Sequence, residues 1–432
     1  MNADPTILLT AQGQELLARL AAEPDSGGLA LAVRLRREYP ADLVAAATAQ
    51  HELRLAARAK FSRAADMLFT RTGYEQSSSE PIARYRAARF GDARRVADLC
   101  CGIGGDLLAL APGREALAVD RDEVHTRLAL HNAEVYGETG NVRALVADVR
   151  DVSLSGLDAV FIDPARRSGP GAASAGSAAP STNRGGGSPG AAQRFRPGLS
   201  EPPLDWCFAL AARVPAVCVK AAPGLPLDLL PEGWEAEFIA DGRDLKEAVL
   251  WSPALATAPA AGSDGPRRAT VMSSSGPRTL VAYPGDPVPV TEPGEYLLDP
   301  NPAVTRAGLV EDLARALGRG ASEGESDADA DRDGASKIDP RIAFLTLNWP
   351  AQTPFARTLR VLDSAPWNEK RFAKRLRELG IGAADIRRRG LAGDVDQIHR
   401  RLKLAGPNRG TIVITRVNDK PWGLICTDPS SA

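Results

Sequence analysis

The chain has 432 residues, 44% of them hydrophobic and 25% charged, with a formal net charge of −1. That length exceeds what one hydrophobic core serves, so two or three domains are expected, and no run of about 18 apolar residues offers a membrane span. Five cysteines, Cys100, Cys101, Cys207, Cys218 and Cys426, with four histidines and no C-x-x-C spacing, argue against a disulfide framework and against a metal site.

The first 22 residues carry Asp4 and Glu15 and lack a basic stretch followed by an apolar run, so the expectation is a cytoplasmic protein without a secretory leader. Residues 1–90 are rich in Ala, Leu, Glu and Arg, and Leu43, Ala47, Leu53 and Ala57 recur at helical spacing, which predicts a helical N-terminal region. From residue 91 the texture changes. Short β-runs at 96–99, 116–119, 144–146, 159–162 and 216–219 alternate with helical segments, the pattern of a parallel sheet with crossover helices over 91–255. Runs at 235–239 and 247–251 around Asp241-Gly242-Arg243-Asp244 suit a terminal hairpin on the same sheet.

Residues 168–192 are nearly all Gly, Ala, Ser and Pro and read as a disordered insertion. The segment 256–341 reads as a connection containing a small hairpin at 267–285, a helix at 303–317 and an acidic linker at 321–336. In that linker Asp329, Asp331, Asp333 and Gly334 imitate the opening of a calcium loop, but Pro340 occupies the place of the bidentate Glu, so a solvated linker is the better reading. The last stretch, 342–432, predicts a small α/β domain with strands at 342–347 and 411–416 and amphipathic helices at 368–379 and 395–404. Its clusters Lys370-Arg371, Lys374-Arg375, Arg387-Arg388-Arg389 and Arg400-Arg401 form a local basic excess suited to RNA phosphates, with Trp367 and Phe372 available for stacking; a solvated Arg-rich helix face is the competing reading.

The chemistry-bearing residues fall at strand ends. The first β-run leads into Asp98-Leu99-Cys100-Cys101-Gly102-Ile103-Gly104-Gly105-Asp106 and then a helix near Leu107, an arrangement in which glycines let backbone approach a ligand. Asp120 ends the second run, where a carboxylate can accept ribose hydroxyls. Asp148 ends the third, within reach of an adenine amine. Any one of these acids could equally cap a helix; their order at successive strand ends is what points to a nucleotide-like cofactor. The fourth run supplies Asp163-Pro164-Ala165-Arg166-Arg167, an Asp-Pro turn able to hold a target amine. Lys220, ending the fifth run, could reach the site, but a lysine snorkelling to solvent is the better reading. Cys207 and Cys218 look like core residues, which disfavours a cysteine nucleophile.

The stretch from Asp98 to Arg167 resembles class I S-adenosylmethionine methyltransferases acting on RNA, in particular bacterial relatives of the cap trimethylguanosine synthases that carry a C-terminal THUMP-like domain. Asn132-Ala133-Glu134-Val135-Tyr136-Gly137 matches the same group, and Tyr74-Glu75-Gln76-Ser77-Ser78-Ser79 resembles its segment preceding the core, which often folds over the cofactor. The basic C-terminal stretch, with Gly380-Ile381-Gly382 and Ile412-Val413-Ile414-Thr415-Arg416, resembles the THUMP-like module.

The resemblance implies a Rossmann-like α/β core binding S-adenosyl-L-methionine through Asp98, Cys100, Gly102, Gly104, Asp120 and Asp148, with Gly102 and Gly104 at the methionine part, Asp120 at the ribose and Asp148 at the adenine. Asp163 and Pro164 would face the substrate, an exocyclic amine of rRNA or tRNA, and the Arg166 guanidinium can stack on a base or clamp a phosphate. Amine methyltransferases usually continue with Pro and an aromatic residue where this chain has Ala165 and Arg166. That departure keeps open a non-catalytic RNA-binding protein retaining a cofactor pocket. A nicotinamide-dependent oxidoreductase is a weaker alternative, because Leu107 stands where its third fingerprint glycine would be.

Overall fold

A computed structural model describes residues 4–22, 29–166, 200–259, 265–282, 285–318, 334–391 and 393–429. The expected disordered insertion, and the aspartates of the calcium-like stretch, lie outside those residues. The chain forms two compact units, one built from Met1–Arg167, Pro197–Ala221 and Trp251–Leu255, the other from Ala222–Leu250 and Ala256–Ala432. Among the described residues no helix is long and apolar enough to cross a membrane.

In the first unit five parallel strands form the frame: β1 (Arg95–Leu99), β2 (Glu115–Asp120), β3 (Val142–Val146), β4 (Ala159–Ile162) and, after the two-residue ribbon β5 (Ala165–Arg166) and β6 (Ser200–Glu201), β7 (Ala216–Ala221). Their spatial order is β7-β4-β1-β2-β3. Chain order therefore reverses between β1 and β4, and an open sheet places its crevice at the carboxyl ends of the strands flanking such a reversal. The apolar runs explain the burial: Val96, Ala97 and Leu99 in β1 and all of β4 are buried, as expected of a parallel sheet covered on both faces.

The helical N-terminal region does not stand apart from this sheet. The Asn132 side chain, fully buried in the helix Glu123–Val135, accepts from Leu68 N–H at 2.8 Å and donates to Leu68 O at 3.0 Å and to Ile103 O at 2.9 Å. One amide thus ties the crossover helix to both the N-terminal region and the loop after β1. Tyr136 adds a hydroxyl bond to Glu80 at 2.8 Å. The boundary expected at residue 90 is consequently not a boundary between compact units.

In the second unit β8 (Glu235–Asp241) and β9 (Asp244–Leu250, continuing to Trp251) are followed by β10 (Arg267–Met272), parallel to β8, and β11 (Arg278–Val281), antiparallel to β10. A separate seven-stranded sheet has the order β13-β14-β12-β15-β18-β17-β16. Its strands are β12 (Tyr296–Pro300), β13 (Ser336–Lys337), β14 (Leu345–Leu347), β15 (Ala356–Pro366), β16 (Ile381–Arg388), β17 (Asn408–Val417) and β18 (Lys420–Thr427).

Two expectations need correcting here. The segment 256–341 is not a mere connection, because Tyr296–Pro300 pairs with β15 along its whole length and Leu297 joins the same apolar cluster as Leu359 and Val413. The single helix expected at 303–317 is two, Pro302–Ala307 and Val310–Leu317. Gly308, at φ 70°, ends the first in the left-handed region that glycine tolerates. The helices Glu369–Glu378 and Val395–Leu402 pack Phe372, Leu376, Ile398 and Leu402 against Ile412 and Ile414, covering the other face of this sheet.

Candidate active site

The carboxyl ends of β1, β2, β3 and β4 carry the acids singled out in the sequence. Asp98, in β1, is 1% exposed, and its Oδ2 has no hydrogen-bond partner among the described residues. Burial, with Asp106, Asp163 and Asp120 nearby, pushes its carboxyl well above the usual range, while Lys220 opposes the shift. The loop that follows starts with Cys100 in the left-handed region, φ 61°, an unusual conformation for a residue with a Cβ. Burial first, and Asp120 second, push the Cys100 thiol upward.

The two marked glycines differ in kind. At Gly102, φ 52°, a Cβ would meet nothing within 4 Å, so this backbone borders open space. At Gly104, φ 84°, a Cβ would lie 3.1 Å from Ala129 Cα, so this glycine lets the loop pack against the helix Glu123–Val135. Gly102 thus keeps an open side, while close packing against the helix by itself requires a glycine at Gly104. The helix expected after the loop is one turn, Leu107–Leu110, and Asp106 does not cap it with its side chain.

Asp120 Oδ2 accepts from Gly102 N–H at 2.9 Å and Oδ1 from Asp122 N–H at 3.0 Å, with the His125 ring 3.8 Å away. Burial disfavours its charge, but His125 and these two N–H groups outweigh burial and hold the carboxyl below its ordinary value. Asp122, not Asp120, caps the next helix. Asp148 is held on both oxygens by Arg150, at 2.9 and 2.6 Å, and the hydrogen bonds from Arg150 lower its carboxyl to about 2. Arg150 also reaches Glu201 of β6 at 3.0 Å. Cys100, Asp120, Asp148, Ala165 and Glu201 line one small cleft. A much larger hollow, bounded by Arg94, Arg95, Arg114 and Asn141, lies at the opposite, amino ends of the strands and holds none of these acids.

Asp163 follows β4, its N–H bound to Leu99 O at 3.2 Å, which fixes it beside the β1 tip. Its carboxylate is 35% exposed, and Oδ2 lies 2.7 Å from Lys220 Nζ. Pro164 is buried, and the backbone of Arg166 pairs with Ser200 in the β5–β6 ribbon. The reading of Lys220 as a snorkelling lysine is corrected: only 13% exposed, it points at Asp163 and also donates to Gln76 O at 3.4 Å.

Sequence reasoning missed two further groups. Arg86, 1% exposed, ion-pairs with Asp106, donates to Ser78 at 2.9 Å and lies 5.1 Å over the Phe161 ring. Lys60 holds the Tyr74–Ser79 segment through the carbonyls of Tyr74 and Ser77 at 2.7 and 2.9 Å. Arg86 lies in the helix Glu80–Ala88 and Lys60 in the turn after the helix Ala41–Ala57, and neither offers a signal in the sequence beyond ordinary surface charge. That segment packs on the loop itself, for a Cβ on Gly105 would come 3.1 Å from Ser77 and one on Gly73 2.5 Å from Ile103. Cys207 and Cys218 are fully buried, and burial pushes the Cys207 thiol up to about 12. A thiol so raised is not a nucleophile near neutral pH.

Among known proteins, the S-adenosylmethionine-dependent methyltransferase of Mycobacterium tuberculosis, itself uncharacterized and present in strains H37Rv and CDC 1551, is 34% identical over 360 residues, covering 81% of this chain and 85% of its own. This chain belongs to the S-adenosylmethionine-dependent methyltransferases. Within the methyltransferase, residues 93–170 match the family model for RNA cap guanine-N2 methyltransferase, residues 356–428 the THUMP domain-like model and residues 3–57 a domain of unknown function. A provisionally assigned methyltransferase of Porphyromonas gingivalis W83 shares the fold, with a TM-score of 0.68 at 20% identity over 90% of this chain and 92% of that one. The methyltransferase therefore has the Rossmann-like class I core and C-terminal THUMP-like domain expected from its sequence, and its cofactor is S-adenosylmethionine.

Proposed function

We propose that this methyltransferase modifies an exocyclic amine of an RNA base presented at the tip of β4. The observation that carries the reading is Asp163, a half-exposed carboxylate beside the β1 loop whose Oδ2 is taken by Lys220. Its Oδ1, which has no donor among the described residues, is left to accept an N–H of the acceptor. RNA is supported by the cap guanine-N2 methyltransferase match over 93–170 and the THUMP-like match over 356–428.

The residues at the strand tips suit the methyl donor. The buried, unpartnered Oδ2 of Asp98 suits an ammonium, as in the methionine portion, and the open side of Gly102 lets that portion approach the backbone. Each oxygen of Asp120 keeps a lone pair beyond its backbone bond for a ribose hydroxyl. Asp148 faces the same cleft at the adenine end, where its bond to Arg150 must be shared or yielded.

S-adenosylmethionine held by these residues would supply its sulfonium methyl group to the lone pair of the amine, leaving as S-adenosylhomocysteine. Asp163 orients that lone pair by accepting an N–H, and its carboxylate accepts the proton the methylated nitrogen releases. Lys220 holds Asp163 in place for both roles, so catalysis is positioning and electrostatics.

The test is transfer of tritium from labelled S-adenosylmethionine to RNA extracted from cells lacking the protein. Asp163→Asn is expected to cut labelling by about 100-fold or more, the order found when one positioned polar group is lost, while calorimetric binding of S-adenosylhomocysteine stays within about threefold. RNA that takes no label from the wild-type protein would refute the reading.

A further inference from the structure

The sequence draws attention to the basic helices of the C-terminal region, where three of the cations are matched by acids on the same surface. Arg375 meets Asp363 at 2.9 Å and Glu378 at 3.1 Å, Lys374 meets Glu378 at 3.8 Å, and Arg401 meets Glu369 at 3.4 Å. A more buried group of cations lies on the opposite face of the seven-stranded sheet. There Asp299 of β12, its side chain 4% exposed, binds Arg243 through Oδ2 and Arg389 through Oδ1, each at 2.8 Å. Arg357, its cross-strand neighbour on β15, is spent on Asp428 at 2.9 Å.

Arg387, two residues before Arg389 on β16, shares this face. It stands in register with Val413, while Asp299 and Arg357 are two residues from Leu297 and Leu359, and those three apolar residues form one cluster. Its Nε is buried with no acceptor, and no carboxylate pairs with it among the described residues. Asp385, next on the same face, lies 3.4 Å from Arg409. Among the described residues, Asp299 and Asp428 are the carboxylates that pair within this group of four guanidiniums. Burial lowers Arg243, and although Asp299 opposes this, Arg387, Arg357 and Arg389 add to it, which is the mark of crowded positive charge.

We propose that this face, with Arg387 as its free donor and Arg243 and Arg389 fixed around Asp299, binds a backbone phosphate of RNA. The guanidinium's planar fork matches two phosphate oxygens at once, and partial burial strengthens the attraction relative to a fully hydrated lysine. A phosphate here offsets charge that the protein leaves uncompensated. The inference rests on the RNA reading above, but on binding rather than methyl transfer.

The full-length protein would be titrated, with S-adenosylhomocysteine present, against a fluorescein-labelled 20-nucleotide RNA hairpin at several salt concentrations. Arg387→Gln is expected to weaken binding by about 5- to 20-fold and to flatten the log–log salt slope by about 1, the signature of one lost phosphate contact. Lys374→Gln, at a 77% exposed side chain, is expected to change affinity by less than about twofold. Unchanged melting temperatures identify the effect as local, and Arg387→Lys, keeping the charge without the fork, is expected to restore part of the affinity.

Equal affinity and equal salt slope for wild type and Arg387→Gln would overturn the proposal. So would inorganic phosphate displacing the hairpin far better than chloride of the same ionic strength, which would mark a site for free phosphate. If the variant loses binding while the wild type methylates no RNA at all, the phosphate site stands and the methylation reading falls.

Discussion

At the scale of single residues, the tip of β1 combines two conditions that ordinarily exclude each other, a fully buried carboxyl and three neighbouring acids. Asp98 is held well above the usual carboxylate range, so the fold favours its protonated form. A group raised in this way contributes stability that is fully present below its ordinary value and is lost as pH rises through the raised one. The free protein should accordingly lose stability from this site on going from acidic to mildly alkaline pH. Asp98→Asn, which imitates the protonated form, should melt higher than wild type at pH 8, and the gap should narrow toward pH 5 in thermal scans. The same substitution should weaken S-adenosylhomocysteine binding, since an amide has no charge to offer an ammonium. A variant that melts lower than wild type at pH 8 would contradict the assignment.

Asp120 and Asp148 differ from Asp98 because each already has donors. Asp120 is bound by backbone N–H groups that a ligand need not displace, whereas Asp148 is clasped by a side chain, Arg150, at 2.6 Å. A carboxylate held by backbone is preorganised for a ribose, and one held by a side chain must exchange partners.

Among the elements, the crossover helix Glu123–Val135 does more than connect β2 to β3. Its buried Asn132 makes three bonds to groups otherwise left without partners in the interior, two on Leu68 and one on Ile103. Leaving buried backbone groups unsatisfied costs about 1–3 kcal/mol, so Asn132→Ala is expected to destabilise the first unit by about that amount in urea titration. Because Ile103 lies between Gly102 and Gly104, the variant should also bind S-adenosylhomocysteine more weakly, although Asn132 touches no cleft residue. Undiminished binding together with lost stability would confine Asn132 to a structural role.

At the scale of the whole molecule, the seven-stranded sheet draws its strands from both sides of the boundary that composition suggests near residue 341. A chain ending at Arg341 keeps β12 but removes β14 and β15, its partners on either side. Strands with open, apolar edges pair with other chains, and Leu297 and Leu298, both fully buried in the intact sheet, would be exposed. That truncated chain is expected to elute from size-exclusion chromatography as aggregate. A monomeric, cooperatively melting product would show that the sheet is not one folding unit.

What the amino-acid order by itself determined is the frame: alternating apolar runs, a glycine-bearing turn, and acids at four successive strand ends. Those features are local, set by spacing along a few residues, and β4 at Ala159–Ile162 was legible to the residue. Strand β15 was not, because its polar and charged residues hide an eleven-residue strand whose stability comes from partners on both sides. Only the tertiary structure decided what each acid meets. Lys220 reaches Asp163 across 57 positions and Arg389 reaches Asp299 across 90, distances at which the chain carries no periodic signal. The same holds for the basic C-terminal stretch, where sequence counts charges but folding decides which are neutralised by a neighbour and which are left facing a partner.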